Sequence, residues 1–258
     1  MGDGQVRTAR GQVRSLPRND LRQYDDLAGE WWRPEGAFAM LHWLAESRAR
    51  LIPPARRPGA VLVDVGCGAG LLTPYLTGKG YHHIGVDLVC SALEQAAAHG
   101  VTPVNGDATS VPLADGCADV VAAGELLEHV PDWPAVVAEV CRLLRPGGTL
   151  VLDTLNATAL SRLLAVRVAE LLPGVAPRGI HDPRLFVDVR ELTAECARHG
   201  VRLRVRGVRP EFWGVTRWLV RRAVPGLRRA DAGGPGTPRI VPTWSTAVLY
   251  QGLGVKEG

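Results

Sequence analysis

"VLVDVGCGAG", residues 61–70, runs a strand-like apolar segment through one acid, Asp64, into a turn with glycine at 66, 68 and 70. A segment that is apolar at nearly every position suits a strand covered on both faces, as in a parallel sheet. Gly66, Gly68 and Gly70 let the backbone approach a ligand that a Cβ would exclude, and a helix is expected after the turn. A dinucleotide fingerprint, G-x-G-x-x-G, would need a glycine where this chain has Leu71, so the spacing alone discriminates weakly. Asp64 discriminates better. A carboxylate two residues before Gly66 repels a pyrophosphate and suits a cationic ligand.

Working outward, Val/Ile/Leu-rich runs at 60–65, 82–86, 101–105, 118–123 and 148–153 alternate with helix-length segments, the pattern of an α/β fold. Val136, Val137, Val140, Leu143 and Leu144 recur at helical spacing, and "RPGG" at 145–148 ends that helix. A helix near 189–199, a strand near 201–208 and a final antiparallel strand near 244–250 follow. The expected fold is a doubly wound, mostly parallel, Rossmann-like sheet of about seven strands. Residues 1–18 read as a flexible basic tail and 19–55 as a helical, aromatic cap over the carboxyl edge of the sheet. Residues 56–258 read as the main domain, with an insertion at 155–187.

Two more acids stand where strands end. Asp87 closes "HIGVD", where a carboxylate can accept both hydroxyls of a ribose, and Asp107 in "NGDATS" could accept from an adenine amino group. With Asp64 they make a coherent nucleoside site. S-adenosylmethionine, which carries an ammonium and a sulfonium, matches all three, although NAD would use Asp87 equally. As purely structural residues, Asp64 could cap the following turn and Asp87 a helix, but capping does not explain their common place at a sheet edge. Three classes stay open on these residues: an S-adenosylmethionine-dependent transferase, an NAD-binding oxidoreductase and a noncatalytic nucleoside-binding protein.

The whole chain narrows the setting. At 258 residues and 46% apolar composition it can bury a substantial core. Its five cysteines include no C-x-x-C pair, which argues against a zinc cage or a disulfide framework and for a reducing compartment. No run of 18 apolar residues and no signal-peptide core is present, so a cytoplasmic protein is expected. A formal charge of +4 is too modest to argue for nucleic acid, and no N-P-P-Y motif of base-modifying enzymes follows the fourth strand. Leu160, Leu163, Leu164 and Leu171 with Arg162 and Arg167, and the basic "RWLVRRAVPGLRR" at 217–229, could rest on an anionic bilayer as a peripheral contact and admit a prenyl tail. The same stretches could equally be a core helix and a solvated loop.

The motifs "VLVDVGCGAG", "GVDL" and "GD" at 106–107 resemble the nucleoside-binding motifs of class I S-adenosylmethionine-dependent methyltransferases over about residues 60–155. Four further stretches, "DDLAGEWWRPEGAFAMLHWLAESRARLI" (25–52), "ELLEHVPD" (125–132), "DTLNATALSRLL" (153–164) and "PRGIHD" (177–182), are similar to the O-methyltransferases of ubiquinone biosynthesis. The resemblance implies O-methylation of a phenolic or catechol-type hydroxyl on a prenylated quinone precursor or similar aromatic. A natural-product methyltransferase with a non-prenylated acceptor is the alternative. It further implies that Arg48 and Gly124 belong to the cofactor site, Arg48 by pairing with the cofactor carboxylate, although Gly124 stands where the family often has a bulkier residue.

"GELLEHVPD", residues 124–132, carries the chemistry. Glu125, Glu128 and His129 stand at i, i+3 and i+4, so one helical turn could face all three the same way. Hard oxygens plus an imidazole suit Mg²⁺, which would lower the pKa of a phenol at the site, and the resemblance implies such a metal at this motif. Alternatively His129, with Glu128, does the proton chemistry without a metal, or Glu125 meets the methionine end of the cofactor while the other two are turn residues. Trp31, Trp32 and Phe38 could stack on an aromatic acceptor or form the core of the cap. His181 is a further histidine whose role the residues leave open.

Overall fold

Eight strands hydrogen-bond into one sheet in a computed structural model that describes residues 5–7, 13–15, 17–171, 176–223 and 238–258. In chain order they are β1 (Ala60–Val65), β2 (Tyr81–Asp87), β3 (Thr102–Asn105), β4 (Ala118–Gly124), β5 (Leu144–Leu155), β6 (Val201–Pro210), β7 (Ile240–Thr243) and β8 (Leu249–Lys256). Their order across the sheet is β3-β2-β1-β4-β5-β8-β6-β7. The pairs among β1 to β5 are parallel, β8 lies antiparallel between β5 and β6, and β7 adds an antiparallel edge.

Burial is nearly continuous along the central strands, as a sheet covered on both faces requires, and successive side chains alternate between the two faces. Val63, Val65, Val121, Ala123, Leu150 and Leu152 pack with α4 (Trp133–Leu143) and α6 (Val189–Arg198). Leu62, Val120, Ala122 and Val151 face the other way, onto Ala49, Ile52, Leu72 and Leu76. The helix α2 (Ala39–Ala49) therefore lies over the face that also carries Asp64, Gly124 and Asp153. The expected α/β class and mostly parallel core hold.

Three local expectations need correction. No helix follows Gly70: Thr73–Tyr75 forms a single 3₁₀ turn, because Pro74 removes a backbone donor and Gly78 and Gly80 both take left-handed φ. The last strand is Leu249–Lys256 rather than 244–250, and 240–243 supplies an eighth, edge strand whose Pro242 is tolerated there. Residues 5–7 pair antiparallel with 13–15 inside the stretch read as a loose tail; residues 1–4, 8–12 and 16 lie outside the described part, as do 224–229 of the basic stretch.

The cap segment contains α1 (Arg22–Asp26), a 3₁₀ turn at Ala28–Glu30 and α2, and α3 (Cys90–Ala98) links β2 to β3. In the insertion, α5 (Ala159–Ser161) starts on a Thr158 cap and continues as a π-helical stretch, Arg162–Ala169. No helix among the described residues is long and apolar enough to cross a membrane.

Candidate functional site

The chain leaves β1 in one direction to lay down β2 and β3, then returns to β4 on its other side. Such a reversal opens a crevice at the carboxyl ends of the strands. A cavity of about 590 Å³ sits there, within the size range of small-molecule sites. Its wall includes Asp64, Gly66, Gly68, Asp87, Asp107, Arg48, Gly124, Glu125 and His129. Sequence reasoning had named all nine.

Gly66 and Gly68 adopt φ of 72° and 51°. A Cβ on Gly68 would come within 2.8 Å of the Trp31 ring, so the loop and the cap close on each other only because the side chain is absent. Asp87 fixes this loop: its Oδ2 accepts from the Gly68 amide at 2.8 Å and its Oδ1 from Val89 at 2.9 Å. Burial raises the Asp87 carboxyl, and those amide bonds work against the rise. Asp107 is exposed at the rim and accepts from the amide and hydroxyl of Thr109, which hold its pKa down. Asp64 is buried on the wall, with His83 Nε2 at 3.6 Å. Gly70 stands apart. It does not line the cavity, and a Cβ there would meet Ala96 and Val101, so it is a packing glycine and not a ligand contact.

Arg48 is corrected in part. Its guanidinium forms a buried two-point pair with Asp153, Nε to Oδ2 at 3.0 Å and Nη2 to Oδ1 at 2.7 Å, and so is not free to spend its fork on a cofactor carboxylate. Only Nη1 is outside that pair. A Cβ on Gly124 would lie 1.7 Å from Arg48 Cζ, so the guanidinium rests directly on the Gly124 backbone.

The premise that Glu125, Glu128 and His129 share a helical face fails. Glu125 has φ of 51°, and the short 3₁₀ helix spans only Leu127–His129. Glu128 is fully buried off the cavity wall, where its Oε2 accepts from the Thr154 hydroxyl at 2.7 Å. Among the described residues no group of three His, Cys, Asp or Glu side chains is placed to hold a metal ion. The donor set expected for Mg²⁺ is split between the cavity and the core, and Glu128 is likewise removed from the proton chemistry.

What remains on the wall suits a cationic ligand. Glu125 Oε1 is buried without a hydrogen-bond partner, and burial together with the charges of Glu128 and Asp153 pushes its pKa well up. An ammonium group would satisfy that oxygen and keep it ionised. Trp31 and Phe38 stack on each other at 4.1 Å along the same wall, whereas Trp32 stacks on His99 outside it.

Sequence reasoning missed Asn19. Its Nδ2 donates to the His129 carbonyl at 2.8 Å, which fixes the amide's orientation. Its Oδ1 then faces His129 Nδ1 at 2.7 Å and can only accept, so Nδ1 carries the proton and Nε2 keeps a lone pair. Burial lowers the His129 pKa to about 4, which keeps the ring neutral at physiological pH. Asn19 and Glu125 are the two non-glycine residues with left-handed φ among those described, and both line this cavity. Strain of this kind gathers at functional sites. The only sequence signal for Asn19 was the tolerance of asparagine for that conformation.

A family model described as a methyltransferase domain matches residues 63–152. The chain is 35% identical to the ubiquinone biosynthesis O-methyltransferase of Hahella chejuensis over 190 residues, 70% of this chain and 80% of that one. It is 38% identical to the enzyme of the same name from Paraburkholderia xenovorans over 185 residues, 68% and 79% of the two chains. Among solved structures, an S-adenosylmethionine-dependent methyltransferase from Thermotoga maritima superposes with a TM-score of 0.58 at 18% identity, covering 85% of this chain and 93% of that one. A phosphoethanolamine N-methyltransferase from Haemonchus contortus, solved with S-adenosylhomocysteine, gives 0.56 at 14% identity over 84% and 53%. At such identities the structures speak for the fold alone.

Proposed function

The chain belongs to the ubiquinone biosynthesis O-methyltransferase family, and on that premise we propose that its acceptor is a phenolic or catechol-type hydroxyl of a prenylated quinone precursor or similar aromatic. It is an S-adenosylmethionine-dependent methyltransferase, so the nicotinamide oxidoreductase and the noncatalytic binding protein fall away. The observation that carries the proposal is the sharing of one cavity by the strand-end acids and a histidine held in its proton-accepting form.

When bound, S-adenosylmethionine supplies a methyl group on a sulfonium. The wall residues suit it: the Asp87 and Asp107 carboxylates can accept hydrogen bonds from a ribose and an adenine, and the orphaned Glu125 oxygen suits the ammonium. Asp64 adds negative charge on the cationic side of the site. His129 Nε2 accepts the acceptor's phenolic proton as its oxygen forms the new bond to the methyl carbon. The departing sulfur would keep the electron pair of its bond to the methyl carbon, and His129 passes the proton on to solvent. Asn19 holds His129 in the tautomer this requires. Mg²⁺ has no step here, because the residues expected to ligate it do not converge.

A second feature bears on the prenyl tail. Leu160, Leu163, Leu164, Val168 and Leu171 are all exposed along one stretch of the insertion, an unusual run for a surface in water. That supports a peripheral membrane contact at which a prenylated acceptor is taken up.

Incubation with isotope-labelled cofactor and matched panels of prenylated and plain phenols and catechols, read by mass spectrometry, tests the proposal. Label is expected on phenolic oxygen, faster with prenylated members. Label on carbon or nitrogen would overturn it.

A further inference from the structure

We propose that His181, backed by Glu170, is a specificity-determining residue that accepts a hydrogen bond from the hydroxyl adjacent to the one methylated. The inference rests on the phenolic reading of the acceptor given above.

His181 lines the same cavity as His129, and the two rings lie nearly parallel, 25° apart in plane with centroids separated by 5.5 Å. A vicinal diol presents two O–H groups side by side, and this wall presents two imidazoles side by side. His181 is only 7% exposed, and the Phe186 ring meets it edge-on. Its Nδ1 is a buried nitrogen without a partner, and 3.9 Å away lies Glu170 Oε1, a buried oxygen without a partner. Closing that gap to an ordinary N–H···O distance of about 2.9 Å would satisfy both orphans together.

Glu170 is held for that purpose by its other oxygen. Oε2 accepts from Arg18 Nη2 at 2.7 Å, from Arg18 Nη1 at 3.1 Å and from the Gly179 amide at 3.1 Å. Arg18 Nε in turn donates to the His181 carbonyl at 2.9 Å. Side chain and backbone of His181 are thus fixed by one carboxylate–guanidinium unit. A carboxylate facing Nδ1 places the ring proton there and leaves the Nε2 lone pair for a ligand. Burial, reinforced by His129 and Arg18, lowers the His181 pKa to about 3, so the ring is a neutral acceptor at physiological pH. No proton is transferred in this role: the second hydroxyl stays protonated and is oriented, while His129 takes the proton of the first.

The test compares kcat/KM for a catechol with that for the monophenol lacking the second hydroxyl, in wild-type protein and in His181→Phe, His181→Gln and Glu170→Gln. Binding of S-adenosylhomocysteine, measured by calorimetry, monitors folding. Wild-type protein should favour the catechol. His181→Phe should lower the ratio of catechol to monophenol kcat/KM about tenfold or more. His181→Gln, which retains an acceptor, should recover part of the preference, and Glu170→Gln should lose part of it. A variant that lowers both substrates equally would overturn the inference, as would a wild-type protein with no preference. Should His181→Phe fail to bind S-adenosylhomocysteine, the preference ratio in Glu170→Gln decides, an unchanged ratio being fatal. Absence of transfer to any phenol would instead sink the acceptor assignment itself.

Discussion

Asn19 grips His129 at two points 110 residues away in sequence, donating to its carbonyl and accepting from its Nδ1. The grip selects the tautomer that can take a proton at Nε2. Asn19→Ala should therefore lower kcat by about tenfold or more while leaving affinity for S-adenosylhomocysteine nearly unchanged. Rapid-quench turnover beside calorimetric binding separates the two; an equal loss in both would make Asn19 a structural residue only.

Gly124 is expected to be intolerant of any side chain. A Cβ would collide with the Arg48 guanidinium and force it away from Asp153, stranding a buried charge. Breaking a buried pair from one side costs about 3–5 kcal/mol. Gly124→Ala should lower the melting temperature clearly, and an unchanged melting curve would mean that Arg48 has another seat.

Asp87 should govern cofactor affinity twice over, through the ligand and through the Gly68 amide it holds. Loss of charge-assisted hydrogen bonds predicts an affinity for S-adenosylhomocysteine about 10- to 100-fold weaker in Asp87→Asn. Isothermal titration with NAD(H) as the comparison ligand should show no binding to either protein.

Glu128 gives a stability signature in pH. Burial raises its carboxyl from the ordinary 4.5 to about 7, opposed by the Thr154 hydrogen bond. As pH rises from 4.5 to 7 the unfolded chain gives up a proton that the folded chain keeps, so stability is lost across that window. Glu128→Gln removes this loss. Its melting temperature relative to wild type should climb between pH 4.5 and 7 and then level off; a falling difference would mean that the ionised carboxylate stabilises the fold. Turnover should survive the substitution.

Chelation should be without effect on the rate. The expected ligands are divided between the cavity and the core, with Glu128 committed to Thr154. A rate lost in chelator and restored by Mg²⁺ would show that this wall rearranges when substrates bind.

How far the sequence carried depended on whether a residue's neighbours lay nearby along the chain. Strands β1 and β4 were legible because burial on both faces leaves an unbroken apolar run. β8 was misplaced because Gly252 and Gly254 mute its apolar signal; both are there because a Cβ would press on Leu203, and at Gly254 also on Val201, across the strand pair. Asp64, Asp87 and Asp107 were legible as acids at or near the ends of strands. The i, i+3, i+4 argument at Glu125 failed because it assumed a helix where the chain makes a left-handed step. Asn19–His129 and Arg18–Glu170 join residues 110 and 152 apart in the chain, with no local pattern to betray them.

The tie between Asn19 and Gly179, an amide-to-carbonyl bond of 2.9 Å, joins two stretches that both lie outside the matched methyltransferase segment. On the reading proposed above, His181 and the Asn19 that orients His129 both lie outside that segment, while His129 itself lies within it. For engineering, the stretches around residues 18–19 and 179–181 should be exchanged as a pair, since Arg18 holds the His181 carbonyl and the Asn19 amide is tied to Gly179.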